Sequence, residues 1–163
     1  MDIIIDTNII FSTLTYSRKT QHILIKLYRG GYNLHAPKEL IAELEKHVDK
    51  IEKYSPLPRD LLREIITRVL PHILNLHNID DIPDEIKRKA KKLAEDADPT
   101  DWPFIALAMH LNAPLWTGDK KLVRLAVRAG FKHYKAVDTR GVEMLLEGKQ
   151  WKEIEEHLKK EYG

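Results

Sequence analysis

The chain has no cysteine and almost no excess of charge of either sign. The absence of cysteine excludes disulfide bonds and thiolate metal sites, and it predicts a cytoplasmic location. No apolar run approaches the roughly 20 residues that a bilayer requires, and Asp2 and Asp6 interrupt the amino terminus, so we expect no membrane segment and no signal peptide. Lys and Arg number 27 against 25 Asp and Glu, so nucleic-acid binding has to be argued from local patches.

The sequence shows instead a regular alternation of short apolar strands and amphipathic helices. Its first strand, Asp2 to Asp6, contains three consecutive isoleucines, which is typical of a strand buried on both faces of a parallel sheet. Further strands are predicted at 33–36, 113–117 and 134–137, with an ambiguous one at 73–76. Helices are predicted at 20–29, 37–51, 59–70, 86–97, 101–111, 120–129, 139–147 and 150–161. We therefore predict one domain over residues 1–163, a three-layer α/β/α fold with a central parallel sheet of four to five strands and a Rossmann-like topology.

Prolines define several of the predicted helix boundaries. Pro37 is expected to open a helix and Pro71 to stop one, because proline lacks the amide hydrogen that a helix interior needs. Pro103 lies near the start of the most apolar helix. With Thr100 as the N-cap, Pro103 would occupy the third helical position, where no hydrogen bond is lost, so we favour Thr100 over Asp98 as the cap.

Acidic residues recur at positions that one edge of the predicted sheet would gather. Asp6 ends the first strand, and Asp119 follows the strand at 113–117 after one glycine. Asp98 and Asp101 precede the apolar helix, and Asp101 falls in its first turn, where the helix dipole favours an anion. A crossover connection brings helix starts to the edge where parallel strands end. We therefore expect Asp6, Asp101 and Asp119 to converge, with Asp98 close by.

A fourth acid is expected from the helix at 37–51. Glu43 and Glu45 flank its apolar stripe on opposite sides, and Glu39 lies further out, at about 100° of rotation per residue. Helical periodicity alone leaves the choice among these three glutamates open.

Other protein classes also place a functional loop after a first apolar strand, and the residues here argue against them. A haloacid-dehalogenase-type phosphatase needs a second acid two positions after the first, where this chain has Asn8. A response-regulator receiver domain needs two adjacent acids, and Asp6 has no acidic neighbour. A dinucleotide-binding domain needs a glycine-rich turn, and none follows Asp6. The eight histidines include no pair at metal-ligand spacing on one helix, so no histidine site is predicted.

Four segments together resemble the PIN-domain nucleases. They are Ile4-Ile5-Asp6-Thr7-Asn8, Glu43-Leu44, Asp98-Pro99-Thr100-Asp101, and Leu115-Trp116-Thr117-Gly118-Asp119. The resemblance covers roughly residues 1 to 138. It is most specific at the Asp-Thr-Asn and Thr-Gly-Asp-Lys-Lys-Leu motifs.

The resemblance implies a PIN-like fold and a metal-dependent endoribonuclease that cuts single-stranded RNA with Mg²⁺ or Mn²⁺. It selects Glu43 among the three glutamates. The catalytic and metal-binding acids that it implies are Asp6, Glu43, Asp101 and Asp119. Asp98 is a further candidate for the metal. The supporting residues, which resemble those that hydrogen-bond the acids or the substrate phosphate, are Thr7, Asn8 and Thr117.

A carboxylate cluster of this kind suits phosphodiester hydrolysis. Hard divalent ions prefer oxygen ligands, and Mg²⁺ takes one or two carboxylates directly while keeping several waters. A bound ion lowers the pKa of a water to make a nucleophile, and it offsets charge that develops on the phosphate. Lys120, Lys121 and Arg124 follow Asp119 closely and are the candidates for contacts with substrate phosphates.

Two features leave alternatives open. The same acids are compatible with a non-catalytic PIN-like module that binds metal or RNA or assembles with another protein. The chain also departs from the compact PIN toxins through additional helices at about 55–97 and 150–161. These helices suit dimerisation, substrate selection or binding of another protein. The candidate partners are therefore RNA, a second copy of the chain and an antitoxin-like protein.

Overall fold

The computed structural model describes all 163 residues and is built on a five-stranded sheet. The strands are β1 (Asp2–Ile5), β2 (Asn33–Pro37), β3 (Asn75–His77), β4 (Leu115–Trp116) and β5 (Ala136–Val137). Their order across the sheet is β3-β2-β1-β4-β5, and every neighbouring pair is parallel. The predicted parallel sheet is confirmed, and the ambiguous segment near residue 75 forms its edge strand β3.

Helices connect the strands and complete the chain. They are α1 (Thr7–Leu14), α2 (Arg18–Arg29), α3 (Glu39–Lys46), α4 (Val48–Tyr54), α5 (Arg59–Glu64), α6 (Leu70–Ile73), α7 (Asp84–Ala94), α8 (Trp102–Leu111), α9 (Lys120–Arg128), α10 (Thr139–Leu146) and α11 (Trp151–Tyr162). Short 3-10 turns lie at Ile79–Asp81 and Pro99–Asp101, and a π-helical turn lies at Ile65–Val69. None of these helices combines the length and the apolar character that crossing a membrane requires.

β1 is the central strand because its side chains suit burial on both faces. Ile3, Ile4 and Ile5 are completely buried, and β-branched side chains pack well on a pleated sheet. β1 pairs with β2 on one side and with β4 on the other. The strand order therefore reverses between β1 and β4, and open sheets of this kind place their ligands in the crevice beyond the carboxyl ends of those strands.

Helices on both faces of the sheet complete the three-layer α/β/α fold. α7 packs against α8, and α8 lies over β1, β2 and β4. α2 contacts α1 and α10, and these helices contact the sheet through β2 and β5. The terminal helix α11 packs on α9 and α10. The buried apolar side chains form one contiguous cluster of 40 residues, so all three layers share one hydrophobic core.

The expected helix boundaries at two prolines were wrong. Pro37 is the last residue of β2, and the helical segment that follows is divided at His47 into α3 and α4. Pro71 does not stop its helix, which continues through α6. A hydrogen bond from the Leu70 N–H to the Ile65 carbonyl closes the π-helical turn just before it. This wider turn gives the proline ring space that a regular α-helix would not provide.

The predicted cap of α8 was also wrong. Asp98 accepts the N–H of Thr100 at 3.0 Å and caps the 3-10 turn Pro99–Asp101. α8 follows directly, with Asp101 in the N-cap position and Pro103 in the second helical position. The first turn of a helix has no amide partners to lose, so the proline costs no hydrogen bond here either. The difference arises because the 3-10 turn has no signal in the hydrophobic periodicity.

Two histidines on neighbouring strands are in contact although no histidine site was predicted. His35 Nδ1 lies 2.8 Å from His77 Nε2, and His35 Nε2 lies 2.8 Å from Asp2 Oδ1. Burial lowers the pKa of His77, and the neighbouring His35 and His110 lower it further. This chain of polar contacts ties β1, β2 and β3 together.

Candidate active site

Asp6 lies at the carboxyl end of β1, at the crevice between β1 and β4. Only 2% of its surface is exposed. Its Oδ1 atom accepts the backbone N–H of Thr7 at 2.7 Å, so Asp6 caps α1. Its Oδ2 atom accepts hydrogen bonds from Thr117 Oγ1 at 2.6 Å and from Asn8 Nδ2 at 3.2 Å. Both oxygens of this buried carboxylate are therefore held by the protein.

The environment of Asp6 opposes its negative charge. Burial raises the pKa of Asp6 to about 6, although the hydrogen bonds from Thr117 and Thr7 act in the opposite direction. The negative charges of Asp119 and Glu43 add to the increase. Burial and nearby like charges both raise the pKa of a carboxyl group, and a bound cation would stabilise its ionised form.

The loop after β4 is fixed against the start of α1. Asn8 donates to Asp6 through Nδ2 and accepts the N–H of Gly118 through Oδ1 at 3.0 Å. A Cβ atom at position 118 would lie 3.4 Å from Asn8 Oδ1, an ordinary van der Waals contact. The Asp119 N–H donates to Thr117 Oγ1 at 3.0 Å. The Thr117 hydroxyl, which donates to Asp6, therefore also orients the loop that carries Asp119.

Two further aspartates stand at helix starts beside Asp6. Asp119 is the N-cap of α9, and its Oδ1 atom accepts the N–H of Lys121 at 2.9 Å. Asp101 occupies the N-cap position of α8 but makes no capping hydrogen bond with its side chain. Its carboxylate is half-buried. The crossover connections thus bring both aspartates to the edge of the sheet where β1 ends.

The pKa of Asp101 indicates how closely the acids are grouped. Burial raises this pKa to about 7, and nearby carboxylates raise it further. The residues whose charges contribute, in decreasing order, are Asp6, Asp98, Asp119 and Glu43. Asp119 and Glu43 act on both Asp6 and Asp101, so the four acids share one electrostatic neighbourhood.

The choice among the three glutamates is supported by tertiary structure. Glu43 is half-buried on α3, which packs against α1, whereas Glu39 and Glu45 are exposed. Only Glu43 contributes to the raised pKa values of Asp6 and Asp101. Burial by a neighbouring helix separates Glu43 from Glu45, a distinction that helical periodicity does not make.

Asp98 lies at the margin of the group. It is exposed, and its Oδ1 atom accepts both the N–H of Thr100 at 3.0 Å and its hydroxyl at 2.7 Å. The hydrogen bonds from Thr100 lower the pKa of Asp98, and the charge of Lys121 contributes to the decrease. Asp98 therefore stabilises the 3-10 turn, and its negative charge raises the pKa of Asp101.

The acidic group concentrates negative charge that no basic side chain neutralises. None of its four grouped members forms an ion pair; these are Asp6, Glu43, Asp101 and Asp119. Thr7 Oγ1 is the one buried side-chain polar atom without a hydrogen-bond partner. No three carboxylate or imidazole groups surround a single point at ligand distances. An all-oxygen donor set of this kind is compatible with a hard divalent cation that keeps several of its waters and takes one or two carboxylates directly.

Comparison with known families identifies the family to which the chain belongs. The profile of the PIN domain family matches residues 4–159, a range that contains all members of the acidic group. The chain belongs to the PIN-domain family. Comparison with curated protein sequences finds no match.

Two solved structures share the fold of this PIN domain. A chain of VapBC2 from Rickettsia felis, bound to a DNA fragment from its promoter, is 14% identical with a TM-score of 0.61, over 85% of this chain and 98% of that chain. A chain of FitAB bound to the IR36 DNA fragment is 17% identical with a TM-score of 0.56, over 84% of this chain and 94% of that chain. Nearly all of each solved chain is matched, so this PIN domain is the longer one.

Three basic side chains of α9 lie on different sides of this helix. Lys120 and Lys121 are exposed, and Arg124 is half-buried. Lys121 lies on the side of Asp98, whose pKa it lowers, and Arg124 lies on the side of Tyr162, whose pKa it lowers. α9 therefore presents positive charge in two directions next to the acidic group.

One acid at this edge of the sheet was not predicted. Asp138 follows β5 and caps α10 by accepting the N–H of Gly141 at 2.7 Å. It also accepts the hydroxyl of Tyr162 at 2.9 Å and lies 3.1 Å from His157 Nε2. Asp138 therefore anchors α11, which carries both of these partners. The signal that could have found it was its position directly after the predicted strand at 134–137.

Proposed function

We propose that this PIN domain is a metal-dependent endoribonuclease that hydrolyses phosphodiester bonds of single-stranded RNA. The observation that carries the proposal is a group of acids at the β1–β4 crevice that no basic side chain neutralises. Within it, the pKa values of Asp6 and Asp101 rise to about 6 and about 7. Membership of the PIN-domain family, a family of nucleases, supports the reaction class.

Mg²⁺ or Mn²⁺ is the proposed cofactor. The residues proposed to hold it are Asp6, Glu43, Asp101 and Asp119, with Asp98 as an outer candidate. A bound ion would neutralise charge on the phosphate and supply an acidic water as the nucleophile. Because Mg²⁺ keeps several waters, the four acids need not all contact it directly.

Neighbouring polar residues orient Asp6 and the loop after β4 through hydrogen bonds. Thr7 and Thr117 hold opposite oxygens of Asp6, and Asn8 joins Asp6 to the loop after β4. Hydrogen bonds of this kind orient ligand carboxylates and raise metal affinity. The chain therefore supplies a pre-oriented Asp6, around which the remaining acids are grouped.

Substrate binding is assigned to the positive side chains of α9. Lys120, Lys121 and Arg124 are the proposed contacts to RNA phosphates. Contacts of this kind position the strand without reading its sequence. We therefore expect these residues to affect the affinity for RNA and its salt dependence more than the choice of cleavage site.

Cleavage of labelled single-stranded RNA tests the proposed activity. We expect cleavage with Mg²⁺ or Mn²⁺ and none in EDTA. Asp6→Asn should lower the cleavage rate more than roughly 100-fold. Mutation of a residue that only hydrogen-bonds a metal ligand already lowers metal affinity or activity about 10- to 100-fold. Glu156→Gln, which changes an exposed acid of α11, is the matched control and should keep the wild-type rate. Equal rates for wild type and Asp6→Asn would overturn the proposal.

A non-catalytic PIN module is the second candidate function. The acidic group, in which no three ligand side chains surround a single point, is compatible with such a module. Such a module would bind the metal or RNA and leave the strand intact. Mn²⁺ or RNA binding by the wild-type protein, without any cleavage of the RNA, would support this candidate over the nuclease.

We also propose a second copy of the chain or an antitoxin-like protein as the protein partner. Both solved structures that share the fold come from named assemblies, VapBC2 and FitAB. The additional helices at about 55–97 and 150–161 would provide the extra surface. Sedimentation velocity of the purified chain tests the first partner: a dimer supports self-association, and a monomer at all concentrations contradicts it.

A further inference from the structure

A cavity of about 270 Å³ adjoins the acidic group. It lies among the starts of α9 and α10 and the end of α11, and Thr117 and Gly118 form its border with the acids. Thr117 therefore bonds to Asp6 and lines the cavity at the same time. Ordinary ligand pockets measure about 300 to 1,000 Å³. A slightly smaller, open cavity suits one unit of a longer chain.

Positive side chains line this cavity. Lys120 is exposed and forms no ion pair. Arg140 contacts Glu147 at 2.9 Å and Glu143 at 3.9 Å, both through Nη1, so its other guanidinium nitrogens remain available. The one acid that lines the cavity, Asp138, is already engaged by α10 and α11. Lys120 and the free guanidinium nitrogens of Arg140 are therefore the donors that a phosphate group would meet in the cavity.

Tyr162 adds an aromatic side chain to the cavity lining. Its hydroxyl donates to Asp138 at 2.9 Å, which restrains the ring. Burial raises the pKa of Tyr162 to about 12, and the hydrogen bond to Asp138 contributes, so the phenol is neutral at physiological pH. An aromatic ring beside cationic side chains is the combination that binds single-stranded nucleic acids.

The position of Tyr162 is secured by the packing of α11. Ile154 and Leu158 of this helix are completely buried. Gln150 and Glu153 form a capping box at its start, which stabilises the first turn. α11 is one of the additional segments of the chain, and it contributes a side chain to the edge of the acidic group.

We propose that this cavity binds the nucleotide next to the bond that is cut, with Lys120 and Arg140 holding its phosphate and Tyr162 stacking on its base or ribose. The inference rests on the proposed nuclease function, because the acids beyond Thr117 are then the cutting site. A base that stacks on a side chain must be unpaired. The cavity therefore selects single-stranded over double-stranded RNA.

Binding can be measured separately from cleavage, by fluorescence anisotropy of labelled RNA in EDTA. Lys120→Gln and Arg140→Gln should each weaken binding at least about threefold and reduce the slope of log K against log salt by about 0.7, the value for one phosphate contact on a single strand. Tyr162→Leu should weaken binding at least about fivefold, whereas Tyr162→Phe, which keeps the ring, should stay within about twofold. Lys160→Gln, an exposed lysine of α11 outside the cavity, is the matched control.

The outcomes separate this inference from the nuclease proposal. Unchanged affinity and salt slope in Lys120→Gln and Arg140→Gln, or equal binding of double-stranded RNA, overturns the inference even when the protein cleaves RNA. Binding that depends on these residues without any cleavage supports the cavity and overturns the nuclease. A wild-type protein that binds no RNA in EDTA overturns the inference, and the cleavage assay with Mg²⁺ or Mn²⁺ decides the nuclease proposal separately. Melting temperatures are recorded in parallel, and the two cation variants decide the outcome if Tyr162→Leu fails to fold.

Discussion

Thr117 and Asp6 are joined by a side-chain hydrogen bond of 2.6 Å across 111 positions of sequence. The bond spans the crevice where β1 and β4 end. Thr117 is completely buried, and its hydroxyl also accepts the N–H of Asp119 at 3.0 Å. One hydroxyl therefore sets the positions of two of the four grouped acids.

Removal of this hydroxyl should weaken metal binding with little loss of packing volume. Thr117→Val keeps the shape of the side chain, and we expect an activity loss of about 10- to 100-fold, the usual effect of an outer partner of a metal ligand. The loss should diminish as Mn²⁺ is raised, which a titration of cleavage rate against Mn²⁺ would show. Thr67→Val is the control, because the Thr67 hydroxyl bonds only to Arg63 of its own helical segment. Identical Mn²⁺ titrations for wild type and Thr117→Val would contradict the assigned role.

Neutralisation of Asp101 should stabilise the metal-free protein. Asp101 is half-buried among like charges and makes no capping hydrogen bond. Asp101→Asn should therefore raise the melting temperature in EDTA at about pH 8, by about 2 to 4 °C in a chain of this size. The same variant should lose most of the stabilisation that Mn²⁺ gives to wild type. Differential scanning fluorimetry measures both effects, and a lower melting temperature than wild type in EDTA would contradict the account.

Stability in EDTA should decrease as the pH rises through the range where Asp6 and Asp101 ionise. Their folded pKa values, about 6 and about 7, lie above the ordinary value of 3.8. Groups of this kind favour the folded state while they are protonated, and this contribution is lost as the pH rises through the folded pKa. Mn²⁺ should therefore raise the melting temperature more at about pH 8 than at about pH 5.

The comparison of wild type with Asp101→Asn isolates this pH effect. Groups that lie outside the acidic group, including His77, titrate in both proteins and cancel in the difference. The difference in melting temperature in EDTA should increase between about pH 4 and about pH 7, from the ordinary to the folded pKa of Asp101, and should then level off. A difference that does not change with pH would contradict the electrostatic explanation.

The core at β1 should tolerate little loss of volume. Ile4 is completely buried at the centre of the sheet. Ile4→Ala should lower the free energy of unfolding by about 2 to 5 kcal/mol, and Ile4→Val by about 0.5 to 1.5 kcal/mol. Urea denaturation measures both losses of unfolding free energy, provided that its dependence on urea concentration is the same in wild type and variants. A loss below about 1 kcal/mol for the alanine variant would show that the surrounding helices close the cavity.

The fold was predictable because its signals are local. Three isoleucines before Asp6 and the alternation of strands with helices were enough to indicate the parallel sheet. That sheet in turn places Asp6 and Asp119 at one edge, since parallel strands ending there share a direction. Pro71 shows the limit of such rules: a proline usually stops a helix, but the π-helical turn before it leaves space for the ring.

Other features depend on contacts between distant segments and have no local signal. Glu43 and Glu45 look alike in helical periodicity, and only packing of α3 against α1 distinguishes them. Tyr162 meets Asp138 because α11 folds back over α9 and α10. The proposed role of the four acids as metal ligands remains a prediction, since it depends on an ion and not on the chain alone.

Anomalous scattering from a crystal soaked in Mn²⁺ would show directly whether these acids bind a metal ion. We expect an anomalous peak at the β1–β4 crevice, within ligand distance of Asp6 and of at least one other acid of the group. The same soak of Asp101→Asn should give a weaker peak at that place. No peak beside Asp6, at a Mn²⁺ concentration that supports RNA cleavage, would contradict the claim that these acids form the metal site.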